Sequence, residues 1–326
     1  MSPPVSFSHI AVLGAGAWGT ALALAALAAG RKTSLWVREE DVLADIRQGR
    51  GNRFLPGVTI PKKLQVTGDL AQACKAQALL LAVPAQLLHV FADGFKPHLT
   101  PGQPLVICAK GIEKGTGKLV TEVAAESLPG TTLAILSGPS FARDVARGLP
   151  TAVTIAARGD LAAALQASLG SAAFRPYASD DLTGVALGGA AKNVYAIACG
   201  VVEGMGLGEN ARAALLARSF AELSRLGEAL GAKRETLMGL SGLGDLVLTA
   251  TSKSSRNFSF GVALGAGQEP GAALAEGVDT APALVARAKS VGVEMPIAEA
   301  MADLLSGALP LGEAVLRLMS RKLTVE

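Results

Sequence analysis

The stretch Ile10–Gly30, IAVLGAGAWGTALALAALAAG, constrains the fold more than any other part of the chain. An apolar run, Ile10–Leu13, reads as a short strand. Gly14-Ala-Gly16-Ala17-Trp18-Gly19 follows, and an alanine- and leucine-rich helix begins near Trp18. Strand, glycine turn and helix in this order make the cradle that a dinucleotide pyrophosphate needs. Gly14 permits the tight turn, Gly16 lets the backbone approach the phosphates, and Gly19 lets the helix lie close to the strand. The free N–H groups at the helix start then face negative charge. A glycine turn with no ligand has the same spacing, but it does not require the strand and helix on either side. The lack of charge between Ile10 and Gly30 would also suit a membrane span. Four glycines interrupt that span, and the strand-then-helix pattern accounts for it better.

Half of the 326 residues are apolar and 17 % are charged, which suits one large or two ordinary folded domains. The net charge of +3 is spread along the sequence, with no basic run dense enough for nucleic acid. Such a balance is compatible with a small anionic ligand. Cys74, Cys108 and Cys199 are scattered in apolar context, as expected for buried thiols in a reducing cytosol. The segment MSPPVSFSH lacks the basic and apolar regions of an export signal, so a cytoplasmic location is expected. His9, His89 and His98 fit no metal-ligand spacing, and no metal is expected.

Thr33–Val37, Ala78–Val83, Leu105–Ala109, Thr132–Leu136 and Thr151–Ala156 read as further strands that alternate with helical segments. The pattern predicts an α/β fold: a doubly wound, Rossmann-like, mostly parallel sheet with ligands at the carboxyl ends of its strands. Gly14–Gly19, Val83-Pro84, Lys110 and the Ser137–Ala142 turn all fall at such ends. Arg38-Glu39-Glu40-Asp41 follows the second strand, where the adenosine ribose is met. A cation there pairs with the 2′-phosphate of NADP(H), and an acid accepts from the ribose hydroxyls of NAD(H). Arg38 followed by Glu39 is a mixed signal that leans to NADPH and leaves NADH open. Glu40 and Asp41 read equally well as a solvated loop. After Asp180 helical patterns take over, with long helices over Leu182–Val202 and Asn210–Leu230. Residues 1–188 therefore read as a dinucleotide-binding domain and 189–326 as an all-helical domain carrying the substrate site.

Gly184–Val202 contains one charge, Lys192. Burying an unpaired ammonium is costly, so a partner or a function is implied. The alternative is a surface lysine whose stem covers apolar neighbours. Gly188 and Gly189 precede it on the same face, and their missing side chains would leave room for a ligand beside the amine. Asp245, between a glycine-rich loop and an apolar run, could accept from that amine or cap a helix. Ser252-Lys-Ser-Ser255-Arg256-Asn257 gathers groups that suit a phosphate dianion, and reads equally as a polar loop.

GAGAWGTALA, NRFLPG, AKGIE, SGPSFA, GGAAKNVYAIACG, GLGDLVLT, SSRN and AEGV occur in that order. Together they resemble the bacterial NAD(P)-dependent glycerol-3-phosphate dehydrogenases over nearly the whole chain. The resemblance implies reduction of dihydroxyacetone phosphate by NAD(P)H to sn-glycerol 3-phosphate, for glycerophospholipid synthesis. It implies that Lys192 is the catalytic proton donor or acceptor, that Lys110 contacts substrate and cofactor, and that Asp245 completes the pocket. Gly138, Ser140, Thr249, Ser255, Arg256 and Asn257 match substrate contacts. Ala17, Trp18, Arg38, Ala142, Leu274 and Glu276 match cofactor contacts, beside Gly14, Gly16 and Gly19, and Arg256 is expected to touch both ligands. The chain departs from the family at Ala17, a frequent serine, and at Ala250, often cysteine. Pro282 is expected to interrupt the helix after AEGV. Other readings are a reductase of another small anion and a silent NAD(P)H sensor; the latter predicts loss of Lys192, Lys110 or Asp245, and all three are present. A homodimer through the helical domain is expected.

Overall fold

The computed structural model describes residues 5–271 and 275–319. Its contacts divide the chain into two compact units. The first comprises residues up to Lys110 and Leu119–Ala186, and the second Gly111–Lys118 and the chain from Leu187.

The first unit holds β1 (His9–Leu13), α1 (Ala17–Ala28), β2 (Lys32–Trp36), α2 (Glu40–Arg47), β3 (Gln65–Thr67), α3 (Leu70–Ala73), β4 (Ala78–Leu81) and α4 (Leu88–Phe95). It continues with β5 (Pro104–Ile107), α5 (Val120–Ser127), β6 (Thr132–Ser137), α6 (Ala142–Ala146), β7 (Thr151–Ala157), α7 (Leu161–Leu169) and β8 (Phe174–Ser179). The eight strands form one sheet in the order β3-β2-β1-β4-β5-β6-β7-β8. All neighbours are parallel except β6 and β7, which pair antiparallel. Strand β1 lies between β2 and β4, with Ile10 opposite both Thr33 and Ala78. Strand order reverses there, which places the Gly14 turn at the switch point where open sheets bind ligands. The central strands are apolar on both faces because helices cover both. Ile10, Leu13, Leu80 and Val106 are fully buried.

Two strands have no counterpart in the sequence reading. β3 has three residues, too short for a period to show. β8 reads FRPYAS, with burial alternating along its first half and a proline inside. As an edge strand it needs only one buried face and tolerates Pro176.

The second unit is helical: most of α8 (Leu182–Gly204), α9 (Glu209–Ala229), α10 (Arg234–Met238), a π-turn over Leu240–Gly244, α11 (Asp245–Thr251), α12 (Arg256–Gly265), α13 (Glu276–Ser290), α14 (Pro296–Leu305) and α15 (Leu311–Met319). Residues 111–118, which the sequence reading leaves in the first domain, pack with this unit, where Gly117 lies against the backbone of Arg287 and Ala283. Helix α13 runs through Pro282 without a break, contrary to the interruption expected there. Proline removes one N–H donor from the ladder, and the buried flanks Ala281, Ala283 and Leu284 keep the helix in place.

Helix α8 is the only described helix long and apolar enough to cross a membrane, and its most apolar stretch is buried. Its close neighbour is α12. A Cβ on Gly200 or Gly204 would overlap the carbonyls of Phe258 or Val262, and one on Gly261 or Gly265 those of Ile197 or Val201. Paired small-xxx-small stripes thus bring the two backbones together. On α9 the fully buried Glu222 accepts from Ile297 N at 2.8 Å, capping the start of α14. The three cysteines are buried, and burial pushes the Cys74 thiol up to about 11 and the Cys199 thiol up to about 12.

Candidate functional site

In the sheet unit the site is made mostly of backbone. Gly14 has φ +112°, and a Cβ there would stand 2.6 Å from Ala82 O. A Cβ on Gly19 would overlap Gly14 O, so α1 can follow the turn this closely only with glycine at that position. Gly16 opens onto free space, with nothing within 4 Å of where its Cβ would be. The first turn of α1, with Ala17 and Trp18, has no acidic residue and no side-chain cap, which leaves its N–H groups for an anion. The indole Nε1 of Trp18 is buried without an acceptor. An open glycine, uncapped amides and an orphaned donor fit a dinucleotide pyrophosphate.

Farther along the same rim, Lys110 Nζ donates to Gly138 O at 3.2 Å, and Ser140 Oγ donates to the same carbonyl at 3.0 Å. Gly138 has φ +154°, and a Cβ would lie 2.8 Å from Val153 Cα. One carbonyl thus gathers the amine and the hydroxyl, while Ala142 opens the short helix α6 beyond them. At the end of β2, Arg38 turns to Glu39, donating to Oε1 through Nε at 3.1 Å and Nη2 at 2.8 Å. Its guanidinium also sits 5.1 Å from the Phe91 ring centroid. The mixed Arg38–Glu39 signal is therefore one ion pair, which is half exposed on the arginine side.

In the helical unit the site is made of side chains. Lys192 is 7 % exposed and Asp245 1 %. Lys192 Nζ donates to Asp245 Oδ1 at 2.5 Å and to Thr249 Oγ1 at 3.0 Å, and Thr249 Oγ1 donates to Asp245 Oδ1 at 3.2 Å. The ammonium is thus buried and paired, not laid on the surface. Gly188 serves this pair differently from the expectation. A Cβ there would stand 2.6 Å from Ser241 O, so the missing side chain admits the π-turn backbone and leaves no ligand space. Within the turn, a Cβ on Gly242 would overlap Leu237 O. The GLSGLG run is what allows Asp245 to start α11 opposite Lys192.

A second network adjoins it. Asn257 Nδ2 donates to Asn193 Oδ1 at 2.9 Å, Asn193 Nδ2 donates to Glu276 Oε2 at 3.3 Å, and Gly277 N donates to Asn257 Oδ1 at 2.9 Å. Arg256 Nη2 lies 3.7 Å from Glu276 Oε1. Glu276 is thereby joined to Asn193 and Arg256 within this unit. Ser255 caps α12, its Oγ accepting from Phe258 N at 3.2 Å, and its O–H remains able to donate. Leu274 lies outside the described residues. Among the described residues no three His, Cys, Asp or Glu side chains come together.

Two residues to which the sequence reading gives no role belong here. Asn193 follows Lys192 and connects it to α12 and α13. Asn52, in the NRFLPG stretch, is buried against the glycine turn. Asn52 is one amide in a loop and Asn193 one amide on the apolar helix α8, and neither shows its partners in sequence.

Family models describing the N-terminal and C-terminal parts of NAD-dependent glycerol-3-phosphate dehydrogenase match residues 9–163 and 181–316. The chain is 56 % identical over 322 residues to the glycerol-3-phosphate dehydrogenase (NAD(P)+) of a Bradyrhizobium species, covering 98 % of this chain and 99 % of that one. It is 55 % identical over 322 residues to the enzyme of the same name from Afipia carboxidovorans, with the same coverage of 98 % and 99 %. The crystal structure of glycerol-3-phosphate dehydrogenase from Coxiella burnetii superposes with TM-score 0.91 at 38 % identity, over 98 % of this chain and 100 % of that one.

Breaking the buried pair from one side should be far worse than removing it whole. Asp245→Asn is expected to lower stability by about 3–5 kcal/mol, because the ammonium stays buried. Lys192→Met with Asp245→Leu should recover most of that loss. Urea unfolding midpoints would check both, and equal losses in the two proteins would refute the pairing argument.

Proposed function

The chain belongs to the NAD-dependent glycerol-3-phosphate dehydrogenase family, and from that premise we propose that it reduces dihydroxyacetone phosphate to sn-glycerol 3-phosphate, reversibly, with NADPH or NADH. The observation that carries the reading is the buried Lys192 ammonium held by Asp245 and Thr249. Ketone reduction needs a donor at the carbonyl oxygen while negative charge develops there. Lys192 is that donor: it hydrogen-bonds to the carbonyl oxygen and passes its proton to the alkoxide. Asp245 and Thr249 hold Nζ in one place, so the proton is delivered without reorganisation of the amine.

Gly14, Gly16, Ala17, Trp18 and Gly19 hold the pyrophosphate through backbone donors and the indole, and Arg38 meets the adenosine end. When bound, the nicotinamide supplies the hydride. Lys110, drawn to Gly138 O beside Ser140, contacts both substrate and cofactor. Arg256 and Asn257 bind the substrate phosphate with the free O–H of Ser255, so that binding energy remote from the carbonyl orients it. For Arg256 this requires exchange of Glu276 for phosphate, a better partner for its planar fork. The Asn193–Asn257–Glu276 network keeps the phosphate groups in register with Lys192. The same reading places the enzyme in the cytoplasm, feeding glycerophospholipid synthesis. A homodimer through the helical unit is part of it, supported by that unit's alanine-rich helices, and light scattering that gives a monomer mass at assay concentration would remove it.

The test is oxidation of NADPH and NADH by the purified protein with dihydroxyacetone phosphate. No oxidation by protein that binds NADPH would overturn the substrate assignment. Lys192→Ala should lower turnover by about 10²–10⁴-fold with NADPH binding kept, and near-normal turnover would exclude it as the proton donor. Arg38→Ala should raise the KM for NADPH by roughly 10–100-fold, the range of a charged hydrogen bond. The KM for NADH should move far less, and equal rises would remove Arg38 from 2′-phosphate recognition.

A further inference from the structure

Asn52 stands in the loop between α2 and β3, outside the glycine motif, and is 4 % exposed. Its Nδ2 donates to Ala15 O at 2.8 Å and to Thr20 Oγ1 at 2.8 Å, and its Oδ1 accepts from Phe54 N at 2.9 Å. The orientation of this amide is forced. A carbonyl can only accept and a backbone N–H can only donate, so flipping the group would break contacts on both sides. Thr20 is itself fully buried; its Oγ1 donates to Ala15 O at 3.3 Å and its N–H to Gly16 O at 3.0 Å. One side chain thus ties the middle of the glycine turn to the first turn of α1.

The consequence follows from peptide geometry. The carbonyl of Ala15 and the N–H of Gly16 belong to one planar trans peptide and point in opposite directions. Fixing the carbonyl towards Asn52 fixes the Gly16 N–H on the opposite edge. Gly16 has open space around it, so no side chain of its own would hold that peptide plane. We propose that Asn52 is a positioning residue for dinucleotide binding: it sets the Ala15–Gly16 peptide so that the Gly16 N–H is aimed at the pyrophosphate before the ligand arrives. This rests on the dinucleotide reading of the glycine turn given above. Without Asn52 the peptide can rotate, and ordering it becomes a cost of binding. Chemistry at the carbonyl, which Lys192 serves, is unaffected once the dinucleotide is bound.

The test is titration of NADPH into the purified full-length protein without substrate, following tryptophan quenching, alongside steady-state kinetics. Asn52→Leu keeps the branching at Cγ and removes the amide; Asn52→Asp keeps the shape and sets an oxygen against Ala15 O. Both are expected to raise the Kd and the KM for NADPH by about tenfold or more, roughly the worth of one well-placed hydrogen bond. The kcat at saturating NADPH and the KM for dihydroxyacetone phosphate should stay within about twofold. A merely structural role would lower kcat through loss of active protein and leave the KM for NADPH alone, and that result overturns the proposal. So does an unchanged Kd in folded Asn52→Leu. Should neither variant fold, Thr20→Val and Thr20→Ser decide. Weaker NADPH binding by the valine variant with near-normal binding by the serine variant supports the proposal, and equal binding overturns it. Wild-type protein that binds no NADPH would fail the dinucleotide reading itself, and the role of Asn52 with it.

Discussion

An ammonium inside an apolar helix is the constraint from which the helical unit's arrangement follows. Lys192 is 7 % exposed on α8, in a run of buried alanine, valine and isoleucine. A charge in that position is tolerable only with a partner in direct contact and its hydrogen bonds satisfied. Asp245 supplies the charge and Thr249 a hydroxyl that also bonds to the carboxylate. To place Asp245 there, the preceding backbone must come against α8 itself. Gly188 on the helix gives up its side chain for that approach, and Gly242 in the π-turn gives up its own for the close passage of Leu237 O. A π-turn widens the helical path locally and is frequent where a side chain must be re-aimed for function.

The same economy brings α12 into place. Gly200 and Gly204 on α8 face Gly261 and Gly265 on α12, backbone against backbone. At the N-terminal end of that contact stand Arg256 and Asn257, and Asn257 meets Asn193, the neighbour of Lys192. A Cβ on Gly277 would come 2.6 Å from Asn193 O, so α13 is held to the same point. Packing of small residues therefore sets the spacing of the polar ones. A methyl group added along the α8–α12 contact would act on Arg256 and Asn257 without touching either.

The sheet was legible because parallel strands buried on both faces read as unbroken apolar runs, and the glycine turn marks its own neighbours. β3 and β8 were not legible, since edge strands need one apolar face and are short or interrupted. In the helical unit the unusual charge of Lys192 is visible, and so is an acid at the end of a glycine loop that could accept from it or cap a helix; only the packed π-turn decides between the two. In sequence Gly188 reads as room for a ligand, because a missing side chain shows there and what fills the space does not. Pro282 reads as a break because its local cost is visible in sequence and the packing that offsets it is not. Asn52 and Asn193 left no signal. An asparagine in a loop, or beside a lysine on a helix, is ordinary until its amide is buried and its partners are fixed.

The two units handle their ligands by different means, and the difference decides what mutation can reach. The sheet unit presents mostly backbone N–H groups, which no substitution deletes except proline. Apart from side chains at its margins such as Arg38 and Lys110, its cradle can be altered only through residues that set the backbone: Gly14 and Gly19 by close approach, and Asn52 by holding a peptide plane. The helical unit presents side chains, each of which can be lost outright. A defect in the sheet unit should therefore appear as a dinucleotide bound in a poorly ordered cradle, graded in severity. A defect in the helical unit removes a whole side-chain group in one step. Damage to Asn52 belongs to the first kind and damage to Lys192 to the second, although both are buried polar groups with fixed partners.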